Sequence, residues 1–296
     1  MTDTMIDLNF KMLDADEVAE WKMLARGGEE VFAFADLSRE IVDVLSDVAD
    51  ATLTEQFDLL MDIAVAGSGA ISRNEDNLYV RRIMRRSYEV AVASGHAGAC
   101  CNLANMYHDT SNTGTDADYA MARALYELGA DRGNGQASVN LGYIYYYGRG
   151  CEVDYTAAYE CFARAALAEN NPEGFWKLGD LYAKGQGVRQ SDRQAWLMYL
   201  RAYEIGDGAT FVCRAAHHLA DYLLTGIAGY VEADPYQALN LYMRAELGYY
   251  RQIDAGLTYY QGCLDRAIEG QSRARLAIAH SREFPDGPSA CGGIEI

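Results

Sequence analysis

The chain has 296 residues and a formal net charge of −18, with 25 lysines and arginines against 43 aspartates and glutamates. Binding of nucleic acid needs clustered basic side chains that displace counterions, so this balance argues against nucleic acid and against anionic membrane surfaces as partners. The sequence contains no run of about 20 apolar residues, so no transmembrane helix is predicted. The N-terminus lacks the basic region and apolar core of a signal peptide, so we expect a cytoplasmic protein.

The first 53 residues are predicted to form a helical N-terminal cap. They carry no repeat, but Ala15–Arg26 and Asp36–Val48 have amphipathic helical spacing. An atypical unit is expected at the end of a repeat array, because it covers the apolar face that the terminal repeat would otherwise expose.

From residue 54 to residue 276 the sequence repeats itself. Leu141–Gly150 matches Leu178–Gly187, and the same offset of 37 residues carries Phe162 onto Tyr199. A fixed period of this length indicates stacked supersecondary units. Five repeats are predicted, followed by a partial one from residue 251: 54–96, 97–134, 135–171, 172–208 and 209–250.

Each repeat is predicted to be two helices, A and B, joined by a tight turn. In the third repeat, Ala158, Phe162 and Ala165 recur on one helical face. Gly148 can end helix A in the left-handed conformation, and Asp154 can cap helix B. The pattern therefore predicts an all-α chain of two-helix repeats.

Glycines within helix A suggest close packing. Gly142, Gly179 and Gly256 are predicted to lie mid-helix, where each costs about 1 kcal/mol of helix propensity relative to alanine. A cost repeated at one register predicts that the backbone of a neighbouring helix approaches there. After residue 276 the solenoid is predicted to give way to a C-terminal tail, 277–296, which contains two prolines and three glycines beyond Phe284.

The repeated residues resemble a known family. Ala-x-x-x-Leu-Gly-x-x-Tyr-x-x-Gly-x-Gly, followed by Asp-x-x-x-Ala-x-x-(Phe/Tyr)-x-x-Ala, is similar to the Sel-like repeat, a branch of the tetratricopeptide-type helical repeats. Ala137–Ala166 and Gly174–Ala202 carry the motif well, 97–134 and 215–249 partly, and 54–96 weakly. The resemblance implies a right-handed α/α superhelical solenoid. It also implies a non-catalytic scaffold or adaptor with a regulatory role.

The cysteines are predicted to be structural. Some secreted members of the family carry a regular cysteine pair in each repeat, whereas the seven cysteines here occupy different repeat positions, which fits a reducing compartment. His96, Cys100, Cys101 and His108 suggest a zinc site, but adjacent cysteines on a helix diverge by about 100°. We therefore expect no metal and no cofactor. A thiol-based sensor at Cys100 and Cys101 is a weaker alternative.

The face of helix A that points away from helix B is the predicted binding site. In the related tetratricopeptide repeats this face lines a concave groove, and here it mixes aromatic anchors with polar groups, as recognition surfaces do. For any single residue the alternative is packing against a neighbouring turn. The predicted partner-binding residues are Asn105, His108, Val139, Tyr143, Tyr146, Trp176, Asp180, His217, Asp221, Leu257 and Tyr260.

Two functions remain open on sequence grounds. The favoured one is a scaffold whose groove takes a protein or peptide segment, with Asp180 and Asp221 suggesting that the segment carries Lys or Arg. Nothing in the predicted fold requires Trp176 on this face, so burial against a partner would explain it. The alternative is an enzyme with a small-molecule pocket between repeats, although the sequence offers only dispersed acid, base and nucleophile groups.

Overall fold

The computed structural model describes residues 6, 8–11, 16–17, 78–109, 116–206 and 209–283. The predicted helices at 15–26 and 36–48 fall almost entirely outside these residues, as do most of the first repeat and the tail after Glu283. The boundaries of the N-terminal cap therefore remain predictions.

The described residues form ten α-helices and one short 3-10 helix, with a single isolated bridge between Ile227 and Val231 and no strand. The helices are α1 (Leu78–Ala93), α2 (Ala97–Asp109), α3 (Asp116–Asp131), α4 (Gly135–Tyr147), α5 (Tyr155–Glu169), α6 (Pro172–Lys184), α7 (Asp192–Ile205), α8 (Ala209–Thr225), α9 (Pro235–Asp254), the 3-10 helix (Thr258–Tyr260) and α10 (Gln261–Glu283). The predicted all-α, two-helix character is confirmed. The last helix runs on to Glu283, so the predicted boundary at residue 276 falls inside it.

The predicted helix ends are confirmed at the level of single hydrogen bonds. The Asp154 side chain accepts from the backbone N–H groups of Thr156 and Ala157, both at 2.9 Å, and so begins α5. Gly148 ends α4 in the left-handed conformation, with φ 65°, and donates its N–H to the carbonyl of Ile144. Local sequence therefore sets where these helices start and stop.

The described helices fall into two compact units. The first extends to Ile144 and includes Gly148–Glu152, and the second comprises Tyr145–Tyr147 and the chain from Val153 onward. Within the second unit consecutive helices pack in chain order, and helix A of the fourth repeat (α6) also contacts helix A of the fifth (α8). Large aromatic side chains from the B helices, Tyr199 and Tyr242, fill its core and are at most 1% exposed.

The glycines of helix A have a different packing role from the predicted one. A Cβ on Gly179 would lie 2.5–2.9 Å from the ring of Tyr199, so an aromatic side chain of the same repeat, and not a neighbouring backbone, fills this space. Close backbone approach occurs instead at Gly174, where a Cβ would lie 2.9 Å from the backbone nitrogen of Ala166 in α5. Gly256 is not mid-helix: it follows the end of α9 with φ +94°.

Candidate functional site

Three polar residues of the predicted binding face on helix A accept hydrogen bonds from tyrosines on helix B of the same repeat. In the fourth repeat the Tyr199 hydroxyl donates to Asp180 Oδ1 at 2.8 Å. In the fifth repeat the Tyr242 hydroxyl donates to Asp221 Oδ1 at 2.5 Å. The second repeat has the same arrangement, in which the Tyr126 hydroxyl donates to Asn105 at 2.6 Å. These oxygens therefore join the two helices of one repeat.

Asp180 is a buried structural carboxylate. It is 6% exposed, lies 3.4 Å from Lys177 Nζ and has His218 Nε2 at 3.6 Å, in addition to the Tyr199 bond. The sequence-based expectation that this carboxylate faces a basic partner is contradicted, because donors from three residues of the protein already surround it.

Trp176 is also buried within the protein. It is 7% exposed, and the Arg214 guanidinium stacks on its ring at 4.4 Å while Lys177 Nζ lies 4.6 Å from the ring centre. Contacts within the protein therefore bury this tryptophan, as in the alternative of packing against neighbouring residues, and its burial does not require a partner. Its indole N–H is buried and has no hydrogen-bond partner in the described structure, which is costly for a polar donor.

A half-open cavity of about 530 Å³ lies beside Trp176 and is lined by residues of α6, α8, α9 and α10 in the second unit. Of the predicted binding residues, the structure brings Trp176, His217 and Asp221 together here. The full lining comprises Trp176, Arg214, His217, His218, Asp221, Tyr249, Cys263, Arg266, Glu269 and Arg273.

The cavity lining carries more positive than negative charge. Three guanidinium groups face it, against the carboxylates of Asp221 and Glu269, in a chain whose formal net charge is −18. Arg273 Nη2 lies 3.3 Å from Asp221 Oδ1. Arg266 Nη2 lies 3.2 Å from Cys263 Sγ. The site is thus a local cationic region on an acidic protein.

His217 adds no charge to this cavity at neutral pH. Burial lowers the pKa of His217 to about 4, an effect that Asp221 opposes and that His218, Arg266 and Arg273 reinforce. Its Nε2 lies 3.8 Å from Asp221 Oδ2, and its Nδ1 lies 3.4 Å from the Tyr249 hydroxyl. Both ring nitrogens therefore face groups of the protein.

The lowered pKa predicts acid sensitivity. An exposed histidine titrates near pH 6.5, so between pH 6.5 and pH 4 the unfolded state binds more protons than the folded state, and stability that is present above pH 6.5 is lost as the pH falls. We expect the contribution of His217 to the free energy of unfolding to be about 2 kcal/mol lower at pH 5 than at pH 7.

Urea denaturation of wild type and His217→Gln at the two pH values measures this contribution. The variant should lose less stability than wild type between pH 7 and pH 5. His280→Gln, the same change at an exposed histidine of α10, is the control for the substitution itself. Equal acid sensitivity in all three proteins would contradict the assignment.

The remaining predicted residues lie elsewhere. In the first unit Asn105 is exposed, and His108 and Tyr143 are half-buried. The His108 Nε2 lies 2.5 Å from Arg149 Nη1. Val139 is fully buried in the core, so it cannot line a groove. In the second unit the Tyr146 hydroxyl donates to Gln186 at 3.0 Å.

The partial repeat after residue 251 does not begin with the predicted helix. Helix α9 continues to Asp254, so Leu257 lies in the turn that precedes the 3-10 helix and has no helix A register. Tyr260 is 1% exposed and stacks on Tyr249, with ring centroids 5.8 Å apart. Leu257 and Tyr260 therefore do not lie on the predicted binding face of a helix A.

The suspected zinc ligands have other contacts. His96 Nδ1 accepts the Ala99 N–H at 3.0 Å at the start of α2, and Cys100 Sγ lies 3.3 Å from Arg132 Nη1. Burial raises the pKa of Cys101 to about 11, so its thiol stays protonated at neutral pH and is a poor redox nucleophile. Across the described ranges no group of three or more His, Cys, Asp or Glu side chains could hold a metal ion. In the part of the chain that the structure describes, no helix has the length and apolar character needed to cross a membrane.

Sequence reasoning missed the arginines. Arg266 and Arg273 lie on α10, where no binding residue was predicted, and Arg214 lies outside the face assigned to helix A. Their spacing offered one signal, since positions 266 and 273 are seven residues apart and so share one face of a helix.

Comparison with known proteins identifies a family and a fold. A family model described as Sel1 repeat matches residues 97–134, 135–170, 174–207 and 213–249. A crystal structure of a Sel1 repeat protein from Oxalobacter formigenes is similar with a TM-score of 0.55 and 22% identity, over 76% of this chain and 85% of that one. The predicted fold class, a right-handed α/α superhelical solenoid of two-helix repeats, is confirmed.

Two curated relatives match shorter stretches. The ERAD-associated E3 ubiquitin-protein ligase component HRD3A of Arabidopsis thaliana is 30% identical over 115 residues, which is 36% of this chain and 16% of the relative. Protein sel-1 homolog 2 of Homo sapiens is 32% identical over 81 residues, which is 27% of this chain and 12% of the relative. The matched stretches thus represent only a small part of each relative.

Proposed function

Because the chain belongs to the Sel1 repeat family, we propose that it is a non-catalytic scaffold and that a segment of a partner protein docks in the cavity between α6, α8, α9 and α10. The observation that carries this proposal is the cavity itself, which combines a buried aromatic ring, Trp176, with three arginines. Tryptophan, tyrosine and arginine are enriched among the residues that contribute most to the binding energy of protein interfaces.

The relatives support the class of function. HRD3A is named as a component of an E3 ubiquitin-protein ligase, and a place among the components of a larger assembly is consistent with a scaffold. The regulatory role and the cytoplasmic location predicted from the sequence remain predictions for this chain.

The enzyme alternative draws on one observation, that His217, Asp221 and Cys263 line the same cavity. The geometry of the histidine disfavours it. A catalytic base needs one ring nitrogen directed at the nucleophile or substrate, whereas the His217 nitrogens face Asp221 and Tyr249. A pKa of about 4 also makes this ring a weak base.

Blocking the cavity without changing its formal charge tests the docking proposal. Cys263 lines the cavity and is only half-buried. In a background carrying Cys151→Ser and Cys291→Ser, a bulky maleimide on Cys263 should abolish affinity capture of the partner identified with the wild-type protein by mass spectrometry. The same background with Cys263→Ser, treated with the same reagent, should retain capture. Undiminished capture by the blocked protein would place the site elsewhere on the chain.

A further inference from the structure

The charge and hydrogen-bonding groups of the cavity define the chemistry of its ligand. We propose that the cavity binds a carboxylate presented by an acidic peptide segment, an Asp or Glu side chain of the docked partner. This inference rests on the proposed function and reverses the sequence-based expectation of a basic partner.

The first support is the sign of the charge. Asp180 does not line the cavity, and Asp221 is held by Arg273 at 3.3 Å and by the Tyr242 hydroxyl at 2.5 Å. With Asp221 and Glu269 set against three arginines, the lining carries an excess of one positive charge. A single excess charge matches a monoanionic carboxylate better than a dianionic phosphate.

The second support is the position of Arg214. Its guanidinium lies 4.4 Å from the ring centre of Trp176 and 4.8 Å from that of Tyr260. Two aromatic rings therefore lie next to its cationic group, and a guanidinium carries paired N–H donors that match the two oxygens of a carboxylate. Tyr260 is itself held in place because it is 1% exposed. Contacts with two rings of the protein therefore restrict the position of this arginine in the absence of a ligand.

The third support is independent of charge. The buried indole N–H of Trp176, a residue of the cavity lining, has no acceptor in the described structure. An ionised carboxylate is an acceptor with two oxygens and no donor, whereas a lysine ammonium is only a donor. An acceptor that reaches this N–H would satisfy it, which a carboxylate oxygen can do and an ammonium group cannot.

Binding of defined peptides tests the inference. The probes are three fluorescein-labelled, end-blocked hexapeptides that contain four Glu, four Gln or four Lys between two Gly, titrated by fluorescence polarisation at 150 mM salt. We expect saturable binding of the Glu peptide and at least about tenfold weaker binding of the Gln and Lys peptides, because charge-assisted hydrogen bonds are the stronger ones.

Two variants on the same helix locate the binding. Arg266→Gln should weaken binding of the Glu peptide by about tenfold, and Arg275→Gln, an exposed arginine of α10 that does not line the cavity, should leave it unchanged. Circular dichroism verifies that both variants remain folded. Equal binding of the Glu and Gln peptides, tighter binding of the Lys peptide, no binding by the wild-type protein, or equal effects of the two variants would each overturn the inference.

Competition separates the two sources of a carboxylate. Free glutarate should not displace the Glu peptide at equal concentration, and displacement would assign the cavity to a small carboxylate instead of a peptide.

Failure of the carboxylate inference is distinguishable from failure of the scaffold proposal. If maleimide on Cys263 abolishes partner capture but the Glu peptide does not bind, the docking site stands and the acidic chemistry is wrong.

Discussion

Asp180→Ala is expected to lower the free energy of unfolding by about 3–5 kcal/mol, as is typical when one partner of a buried ion pair is removed. The side chains of Lys177 and Asp180 are only 4% and 9% exposed, and their charged atoms lie 3.4 Å apart. Burial lowers the pKa of Lys177 while Asp180 acts to raise it, so the carboxylate stabilises the buried ammonium. The variant also removes the acceptor of the Tyr199 hydroxyl.

Denaturation followed by circular dichroism measures this effect, with three comparisons. Asp265→Ala, at an exposed aspartate of α10, should change stability by less than about 0.5 kcal/mol. Asp180→Asn keeps an acceptor for Tyr199 and removes only the charge, so its loss should be smaller than that of alanine. Adding Lys177→Met to Asp180→Asn should recover stability, because an uncharged pair avoids the cost of desolvation. A loss below about 1 kcal/mol for Asp180→Ala would show that the pair is not structurally important.

The sequence predicted the repeats and helix ends well because these depend on neighbouring residues. Asp154 is followed by the N–H groups that it caps, and Gly148 takes the left-handed conformation where helical periodicity stops. The end of the array was predicted less well. Helix α9 has 20 residues and extends past the point where the spacing of earlier repeats would end it, so Leu257 was given a helical position that it does not have.

The candidate site was predicted only in part, because whether a side chain faces a partner or the protein's own core depends on tertiary contacts. Asp180 was assigned to a partner, although a signal for its internal role exists in the sequence. The helix A acceptor is Asn or Asp in the second, fourth and fifth repeats, where helix B carries Tyr126, Tyr199 and Tyr242. In the third repeat the aromatic is Phe162, which has no hydroxyl, and the acceptor position holds Tyr143. Comparing these two positions across repeats would have indicated a hydrogen bond within each repeat.

Gly179 directly precedes the acceptor Asp180 in helix A of the fourth repeat. Gly179→Leu should destabilise the protein by about 3 kcal/mol, near the upper end of the usual range for overpacking. A Cβ alone would lie 2.5–2.9 Å from the Tyr199 ring, so even the first added carbon needs the ring to move.

The Tyr199 ring has little freedom to move. It is 1% exposed, its hydroxyl is bonded to Asp180 at 2.8 Å, and its face stacks on His218 with ring centroids 4.5 Å apart. Displacing the ring would break the bond that joins α6 to α7, so overpacking and loss of this hydrogen bond act together. The gain of about 1 kcal/mol in helix propensity on replacing glycine offsets only part of this cost.

Melting of matched variants separates steric overlap from a general effect of leucine. Gly262→Leu makes the same change in α10 at a glycine with nothing within 4 Å of its added Cβ, and it should melt like wild type. Shortening the opposing ring in Gly179→Leu with Tyr199→Leu should cost less than the sum of the two single changes, since residues in contact couple in such cycles. If the costs simply add, or if Gly179→Leu melts like Gly262→Leu, then the tyrosine ring is not what requires glycine at this position.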